Sequence, residues 1–184
     1  FLNGPGQAFP TAVSPDGLST YTVRRDTGDI EVYQRDVPTG DLLFEQTVIH
    51  NQAESLAISP DGDHVYVVGS GANDVSRYER NAVNGQLTYE LPLGGSFLFD
   101  NAGEIRISSS GDQVFITGRE EFETHASVTF VFDRDQSTGA LTHAATLDPV
   151  FGVFIGTSIA ADLAHIVAGI DVALGTQRGA HFEV

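Results

Sequence analysis

The residues of this sequence that could carry chemistry are acids, histidines and arginines. The 184 residues include 25 Asp and Glu and six His; all nine basic residues are Arg, and Cys, Met, Trp and Lys are absent. Without Cys these residues cannot supply a disulfide, a thiolate nucleophile or a Cys-based zinc site. Without Lys they cannot form a Schiff base. Catalysis by this chain would therefore be acid–base chemistry assisted by guanidinium groups.

Two sets of residues in predicted loops fit these roles. A general base, or a group that holds water, must be a carboxylate or an imidazole; the candidates are His50, Glu54, Glu104 and His125. An anionic substrate or a developing oxyanion needs a cation; the candidates are Arg24, Arg119 and Arg178. Loops of an acidic protein also carry solvated ion pairs that contribute little. The sequence favours this simpler interpretation, so the catalytic residues stay unassigned.

Other kinds of site find no support in the spacing of residues. There is no Gly-x-Ser-x-Gly nucleophile motif, and the six His residues show no zinc-binding spacing. Residues 133–139 offer oxygens at alternate positions, but a calcium loop needs Gly at its sixth position, and here Gly139 is seventh. We expect a hairpin turn at this segment, and neither a metal ion nor another cofactor.

The charge of the chain limits its partners. The formal net charge is −16 and the pI is about 4.4. Binding to nucleic acid depends on Lys and Arg that neutralise phosphates, and anionic membranes attract basic segments. No apolar run approaches the roughly 20 residues that span a bilayer. We therefore expect neither nucleic-acid binding nor membrane insertion, and consider a protein partner, self-association or a small-molecule ligand instead.

A repeated turn motif organises the chain. Ser-Pro-Asp-Gly at residues 14–17 recurs unchanged at residues 59–62. Weaker copies are Ser-Ser-Ser-Gly at residues 108–111 and Ala-Ala-Asp-Leu at residues 160–163. Pro, Asp and Gly each favour turns for a different reason, so the motif joins one strand to the next. After each copy, runs of β-branched and aromatic residues alternate with further turns, as antiparallel strands do.

This period predicts the fold class. Four antiparallel strands repeated about every 45 residues match one blade of a β-propeller. We predict an all-β propeller region over residues 1–184, with about four blades present. The recurring aromatic residues are expected to pack within and between blades. The predicted blades are residues 8–49, 53–93, 104–147 and 155–184, the last of them incomplete.

The blade sequences also resemble a known family. Asp63-His64-Val65-Tyr66-Val67-Val68 after the second turn motif, and residues 130–142 (FVFDRDQSTGALT), are similar to blades of lactonase-type propellers, which include phosphogluconolactonase-like and YVTN-repeat proteins. The resemblance implies that the chain belongs to a ring of roughly seven blades. Because about four blades cannot close a ring, the alternative is half of a dimeric eight-bladed ring that a partner or second copy completes. The resemblance also implies a secreted, periplasmic or cell-surface location.

Function is predicted less specifically than fold. Because the scaffold motifs are clear and no catalytic motif is present, we interpret the chain as a propeller scaffold that binds a protein or a ligand, and not as an enzyme. One alternative, implied by the resemblance, is a lactone hydrolase with its site at the mouth of the channel. A second alternative is a structural subunit of an extracellular or envelope assembly.

Overall fold

The computed structural model of the chain describes residues 10–50, 52–69, 72–90, 99–120 and 127–147. The chain divides into two units, residues 1–150 and residues 151–184. All described residues belong to the first unit. The predicted fourth blade, residues 155–184, lies outside the described residues.

Short runs rich in Val, Ile, Tyr, Phe and Thr form twelve β-strands among the described residues, as their β-propensity predicts. Blade 1 contains β1 (Thr11–Val13), β2 (Ser19–Val23), β3 (Ile30–Arg35) and β4 (Leu42–Val48). Blade 2 contains β5 (Ala53–Ile58), β6 (His64–Gly69), β7 (Ala72–Arg80) and β8 (Leu87–Tyr89). Blade 3 contains β9 (Phe99–Ile107), β10 (Gln113–Glu120), β11 (Ser127–Arg134) and β12 (Leu141–Leu147). Within each blade the strands pair antiparallel in chain order, which confirms the predicted four-stranded blades.

The repeated turn motif connects the first and second strands of each blade. In blade 1 the amide of Gly17 donates to the carbonyl oxygen of Ser14 at 2.8 Å. The Ser14 hydroxyl and the Leu18 amide both donate to Oδ1 of Asp16, at 2.5 and 2.9 Å. Gly17 has a φ of 71°, a conformation that glycine adopts without steric cost. The local chemistry of Ser, Asp and Gly therefore closes this turn, as the sequence predicts.

Apolar side chains fill the two junctions between neighbouring blades. Tyr21 and Val32 of blade 1 pack with Val65 and Tyr78 of blade 2, and all four are buried. Tyr66 of blade 2 packs in the same way against buried strands of blade 3. Because side chains alternate between the two faces of a strand, one face of blade 2 contacts blade 1 and its other face contacts blade 3. Tyr21, Tyr66 and Tyr78 therefore serve packing between blades, as predicted.

A buried arginine reinforces the junction between blades 1 and 2. The Arg80 side chain, at the end of β7, is only 2% exposed. Its guanidinium donates to Oδ2 of Asp16 at 2.7 Å, the Tyr21 hydroxyl at 3.0 Å and the Ser19 hydroxyl at 3.2 Å, all in blade 1. Its Nη1 donates to the carbonyl oxygen of Gly62 in blade 2 at 3.2 Å. We call this group of contacts the first arginine clasp.

The same arrangement recurs between blades 2 and 3 as the second arginine clasp. Arg134, at the end of β11, donates to Oδ2 of Asp61 at 2.8 Å, the Tyr66 hydroxyl at 2.8 Å and the Gly111 carbonyl oxygen at 2.9 Å. Its Nη2 also lies 3.1 Å from Nδ1 of His64. A guanidinium has only donors, so Nδ1 must accept this bond. His64 is therefore a neutral imidazole here, with its proton on Nε2.

A glycine in the third turn of blades 2 and 3 lets the preceding blade approach closely. The Tyr21 hydroxyl donates to the carbonyl oxygen of Gly85 at 2.8 Å, and the Tyr66 hydroxyl to that of Gly139 at 2.7 Å. A Cβ at Gly85 would lie 2.3 Å from Oγ of Ser19, and a Cβ at Gly139 would lie 2.5 Å from the ring of the preceding blade's histidine. Both glycines also have positive φ. These positions therefore need glycine for backbone conformation and for space.

Candidate functional site

An open groove lies where the β2–β3 turn of blade 1 meets the segment that enters β5 of blade 2. Its volume is about 560 Å³. The lining residues are Pro10, Val23, Arg24, Arg25, Asp26, Thr27, Gly28, Gln52, Ala53 and Glu54. The groove thus brings together one base predicted from the sequence, Glu54, and one predicted anion-binding residue, Arg24.

Arg24 is already engaged by a neighbouring carboxylate. Its Nε and Nη2 donate to the two carboxylate oxygens of Asp26 at 3.1 and 2.7 Å. The hydrogen bond with Asp26 raises the pKa of Arg24, and the same bond lowers the pKa of Asp26. The Arg24 side chain is 40% exposed and that of Asp26 is 66% exposed, so water screens the pair and it contributes little to stability. Because Asp26 offsets its charge, Arg24 is a weaker anion-binding group than its position in the sequence indicates.

Arg25 is better placed to meet a ligand than Arg24. Its side chain is exposed, and among the residues that the structure describes none makes a hydrogen bond or an ion pair with it. A guanidinium presents donors in a planar fork that matches a carboxylate. Arg25 was not among the sequence candidates, because sequence alone could not show that Asp26 pairs with the first of two adjacent arginines.

One residue of the groove has a strained backbone conformation that could not be predicted from the sequence. Gln52 has a φ of 72°, the only positive φ of a residue other than glycine in the described part of the chain. Two glycines flank it closely: a Cβ at Gly28 would lie 2.2 Å from its amide nitrogen, and a Cβ at Gly69 would lie 2.1 Å from its carbonyl oxygen. The next amide, of Ala53, donates to the Gly28 carbonyl oxygen at 3.1 Å. Tight packing therefore maintains the left-handed conformation.

His50 and Glu104 do not line the groove. The amide of His50 donates to Oδ1 of Asp29 at 3.3 Å, which ties the segment after β4 to the β2–β3 turn. Glu104 was predicted in a loop, but it lies within β9 opposite Thr117, and its carboxylate forms an ion pair with Arg106. The loop prediction was wrong because cross-strand pairing extends β9 back to Phe99.

The remaining candidates do not join the groove either. Arg119 was also predicted in a loop, but β10 continues to Glu120, so Arg119 stands opposite Asp100 on one side and Ser127 on the other. Pairing with two neighbouring strands overrides the weak propensity of this segment. His125 and Arg178 lie outside the described residues.

The described ranges contain no cluster of three or more His, Asp or Glu side chains that could hold a metal ion. The acidic turn after β11 uses its carboxylate internally: Oδ1 of Asp135 accepts hydrogen bonds from the amide and hydroxyl of Ser137 and from the amide of Thr138. This is the predicted hairpin turn. The same ranges contain no helix of the length and apolarity needed to cross a membrane.

Comparison with known proteins agrees with the fold. The family model described as "Lactonase, 7-bladed beta-propeller" matches residues 7–91, a range that contains blades 1 and 2 and every residue of the groove. No curated protein sequence matches the chain.

Solved structures of similar shape include two bacterial proteins. The periplasmic gluconolactonase PpgL of Pseudomonas aeruginosa is 20% identical, with a TM-score of 0.64 over 79% of this chain. A Bacteroides fragilis protein provisionally named a 6-phosphogluconolactonase is 22% identical, with a TM-score of 0.64 over 80% of this chain. The chain spans 41% of the length of each of these proteins. At such identities the likeness establishes the fold.

The residues that the family model matches include all eight strands of the first two blades. The residues matched by the family model, 7–91, form two complete four-stranded blades, and a third blade of the same design follows them. Over residues 7–91 the chain is therefore similar to lactonase-type β-propellers.

Proposed function

We propose that the chain contributes to a lactonase-type propeller that binds a small hydroxylated acid, or its lactone, in the groove beside Gln52. The observation that carries this proposal is the composition of the groove, where the exposed guanidinium of Arg25 and the carboxylate of Glu54 line one space of about 560 Å³. Small-molecule sites commonly have volumes of about 300–1,000 Å³ and few polar groups. The groove has a volume in this range, whereas six of its ten lining residues are polar or charged, which suits a hydroxylated or charged ligand.

The polar groups of the groove suit such a ligand chemically. The guanidinium of Arg25 can donate to a carboxylate or a lactone carbonyl, and Thr27 and Glu54 can bind sugar hydroxyls. The chain as a whole carries a net charge of −16, which repels anions at long range. At physiological ionic strength this repulsion is screened beyond about 8 Å, so the charges inside the groove decide binding.

A second candidate function, lactone hydrolysis at the same groove, is favoured by the family match over residues 7–91. Glu54 would take a proton from water while the water oxygen bonds to the lactone carbonyl carbon. Arg25 would stabilise the oxyanion. The ring C–O bond would then break, and the leaving alkoxide would take the proton held by Glu54, which gives the hydroxy acid and restores the carboxylate.

Two broader roles also remain proposals. The ring that contains this chain would serve as a scaffold for a protein partner or self-association, since propellers present many loops on a rigid core. We also propose that the protein works outside the cytoplasm. The similarity to a periplasmic gluconolactonase supports this location.

The groove can be tested by separating binding from turnover. In the full-length protein, gluconate binding is measured by calorimetry, and hydrolysis of glucono-δ-lactone by acid release. Arg25→Gln should weaken gluconate binding about ten-fold or more, whereas Arg25→Lys should lose less because the charge remains. Glu54→Gln should slow hydrolysis about 100-fold or more while gluconate still binds.

The matched control for the carboxylate is Glu79→Gln, an exposed acid on β7 away from the groove. It should leave binding and turnover unchanged. Gluconate binding that is insensitive to Arg25→Gln would refute the groove as the binding site. Turnover that survives Glu54→Gln would refute the hydrolytic role while leaving the binding proposal intact.

A further inference from the structure

The backbone of Gln52 is held tightly by both blades of the groove. A Cβ on Gly28 of blade 1 would lie 2.5 Å from Cα of Gln52, and a Cβ on Gly69 of blade 2 would lie 2.9 Å from its carbonyl carbon. The hydrogen bond from the Ala53 amide to the Gly28 carbonyl oxygen, at 3.1 Å, ties the next residue to the opposite wall. The backbone of Gln52 is therefore fixed on both sides.

The side chain of Gln52, by contrast, has no partner within the part of the chain that the structure describes. The residue is exposed and lines the groove, and its side chain makes no hydrogen bond or ion pair with a described residue. A left-handed φ is costly for a residue that has a Cβ and costs glycine nothing. Contacts of this side chain with described residues therefore do not offset the strain, and such strain is typical of functional sites.

Gln52 and Glu54 together supply the polar groups of one wall of the groove. Both are exposed and line the groove, whereas Ala53 between them is only 7% exposed. The exposed Arg25 and Thr27 belong to the other wall, in blade 1. A ligand between the walls would thus meet a guanidinium on one side, and on the other a neutral amide beside a carboxylate.

We propose that Gln52 makes the groove selective for acids with a hydroxyl group next to the carboxylate, an inference that rests on the function proposed above. The Arg25 guanidinium binds the carboxylate of any acid and cannot distinguish hydroxylated acids from others. The Gln52 amide has donors on its nitrogen and an acceptor on its oxygen, which match a hydroxyl group that both donates and accepts.

The charge and the rigidity of Gln52 suit this role. Its amide is neutral and does not repel an anionic ligand, as the carboxylate of Glu54 does. Because the backbone of Gln52 is already fixed, ligand binding has to order only its side chain, which lowers the entropic cost of association. The strained conformation therefore holds a neutral donor and acceptor at the edge of the groove before a ligand arrives.

The selectivity can be tested with gluconate and 2-deoxygluconate, which differ only in the hydroxyl group next to the carboxylate. Both are titrated calorimetrically into the full-length protein. Gluconate should bind about ten-fold more tightly, and Gln52→Ala should weaken gluconate binding about ten-fold while 2-deoxygluconate binding is unchanged. Arg25→Gln should weaken both acids equally. Gln86→Ala, at an exposed glutamine of blade 2 outside the groove, is the matched control and should change neither.

Thermal unfolding separates a binding role of Gln52 from a structural one. Gln52→Gly removes the side chain and accepts the positive φ, so it should weaken gluconate binding as much as Gln52→Ala without lowering the Tm. Gly28→Ala would instead force a Cβ against the backbone of Gln52 at a φ of 71°. It should lower the Tm by about 3 °C.

Three results would overturn this inference for different reasons. If Gln52→Ala weakens both acids equally, or neither, Gln52 does not select for the hydroxyl group, although a loss of both acids in Arg25→Gln would still support the proposed function. If Gln52→Gly lowers the Tm as much as Gly28→Ala, the side chain of Gln52 has a structural role. If the unsubstituted protein binds neither acid, the proposed function itself is wrong, and the inference fails with it.

Discussion

The two junctions between blades use the same clasp with one exchanged residue. In the first clasp, Nη2 of Arg80 donates to the hydroxyl of Ser19; in the second, Nη2 of Arg134 meets Nδ1 of His64. Ser19 and His64 stand at the same position of the repeat, five residues after the serine that opens each turn motif. The other hydrogen bonds of the two arginines correspond. Comparison of the two junctions therefore shows the effect of replacing a serine by a titratable histidine, because the surrounding hydrogen bonds are the same.

The exchange of serine for histidine predicts that the two junctions respond differently to acid. A serine hydroxyl does not titrate in the ordinary pH range, whereas an imidazole with an ordinary pKa near 6.5 does. Burial lowers the pKa of His64, and the charge of Arg134 lowers it further, although Asp61 acts in the opposite direction. Protonation would remove the acceptor that Arg134 uses. We therefore expect the second junction to lose stability in acid at a position where the first junction does not.

The largest effect is expected from removing a clasp arginine. Arg134→Gln would remove the ion pair with Asp61 and leave the Tyr66 hydroxyl and the Gly111 carbonyl oxygen without their donor. Breaking a buried pair on one side costs about 3–5 kcal/mol of unfolding free energy, measurable by urea denaturation. Arg80→Gln should cost less, because the Ser19 hydroxyl can rotate to another partner. If Arg80→Gln lowers the unfolding free energy as much as Arg134→Gln or more, the exchange of Ser19 for His64 does not make the two junctions differ in stability.

The second largest effect concerns the turn glycines. Gly85→Ala and Gly139→Ala would force a Cβ into the preceding blade at a positive φ, and each should lower the unfolding free energy by about 2–3 kcal/mol. Gly40→Ala is the matched control in the 184-residue chain: it has the same positive φ but nothing within 4 Å, so it should cost only about 1 kcal/mol. Equal costs at all three positions would show that backbone conformation alone requires glycine.

The smallest effect is the acid response of the second junction. Because folding lowers the pKa of His64, the unfolded chain binds more protons than the folded chain once pH falls below about 6.5. Stability from the neutral imidazole is therefore complete above that pH and decreases below it, by at most about 1.4 kcal/mol for each unit of pH. His64→Ser, which copies the first clasp, should reduce the stability difference between pH 7.5 and pH 5.5. An unchanged difference in this variant would contradict the assignment.

The sequence predicted the fold better than the site because the two depend on different distances along the chain. Turns such as residues 14–17 close through hydrogen bonds within four or five residues, so the repeat is enough to place them and the strands beside them. The groove joins residues near position 25 to residues near position 53. Of the candidates, Arg24 and Glu54 meet there, but Glu104 and Arg119 lie in strands, because pairing with neighbouring strands extends β9 and β10 beyond the predicted bounds.

The period of the repeat, the four strands of each blade and the turn glycines can be predicted from the sequence. Three features depend on the folded structure. They are the pairing of Asp26 with Arg24, the positive φ of Gln52, and the steric contacts of Gly85 and Gly139 with the preceding blade. The physical reason is that strand and turn formation depends on local propensity and hydrogen bonding. Burial, pairing of charges and steric contact between blades depend on residues that are distant in sequence and become neighbours only on folding.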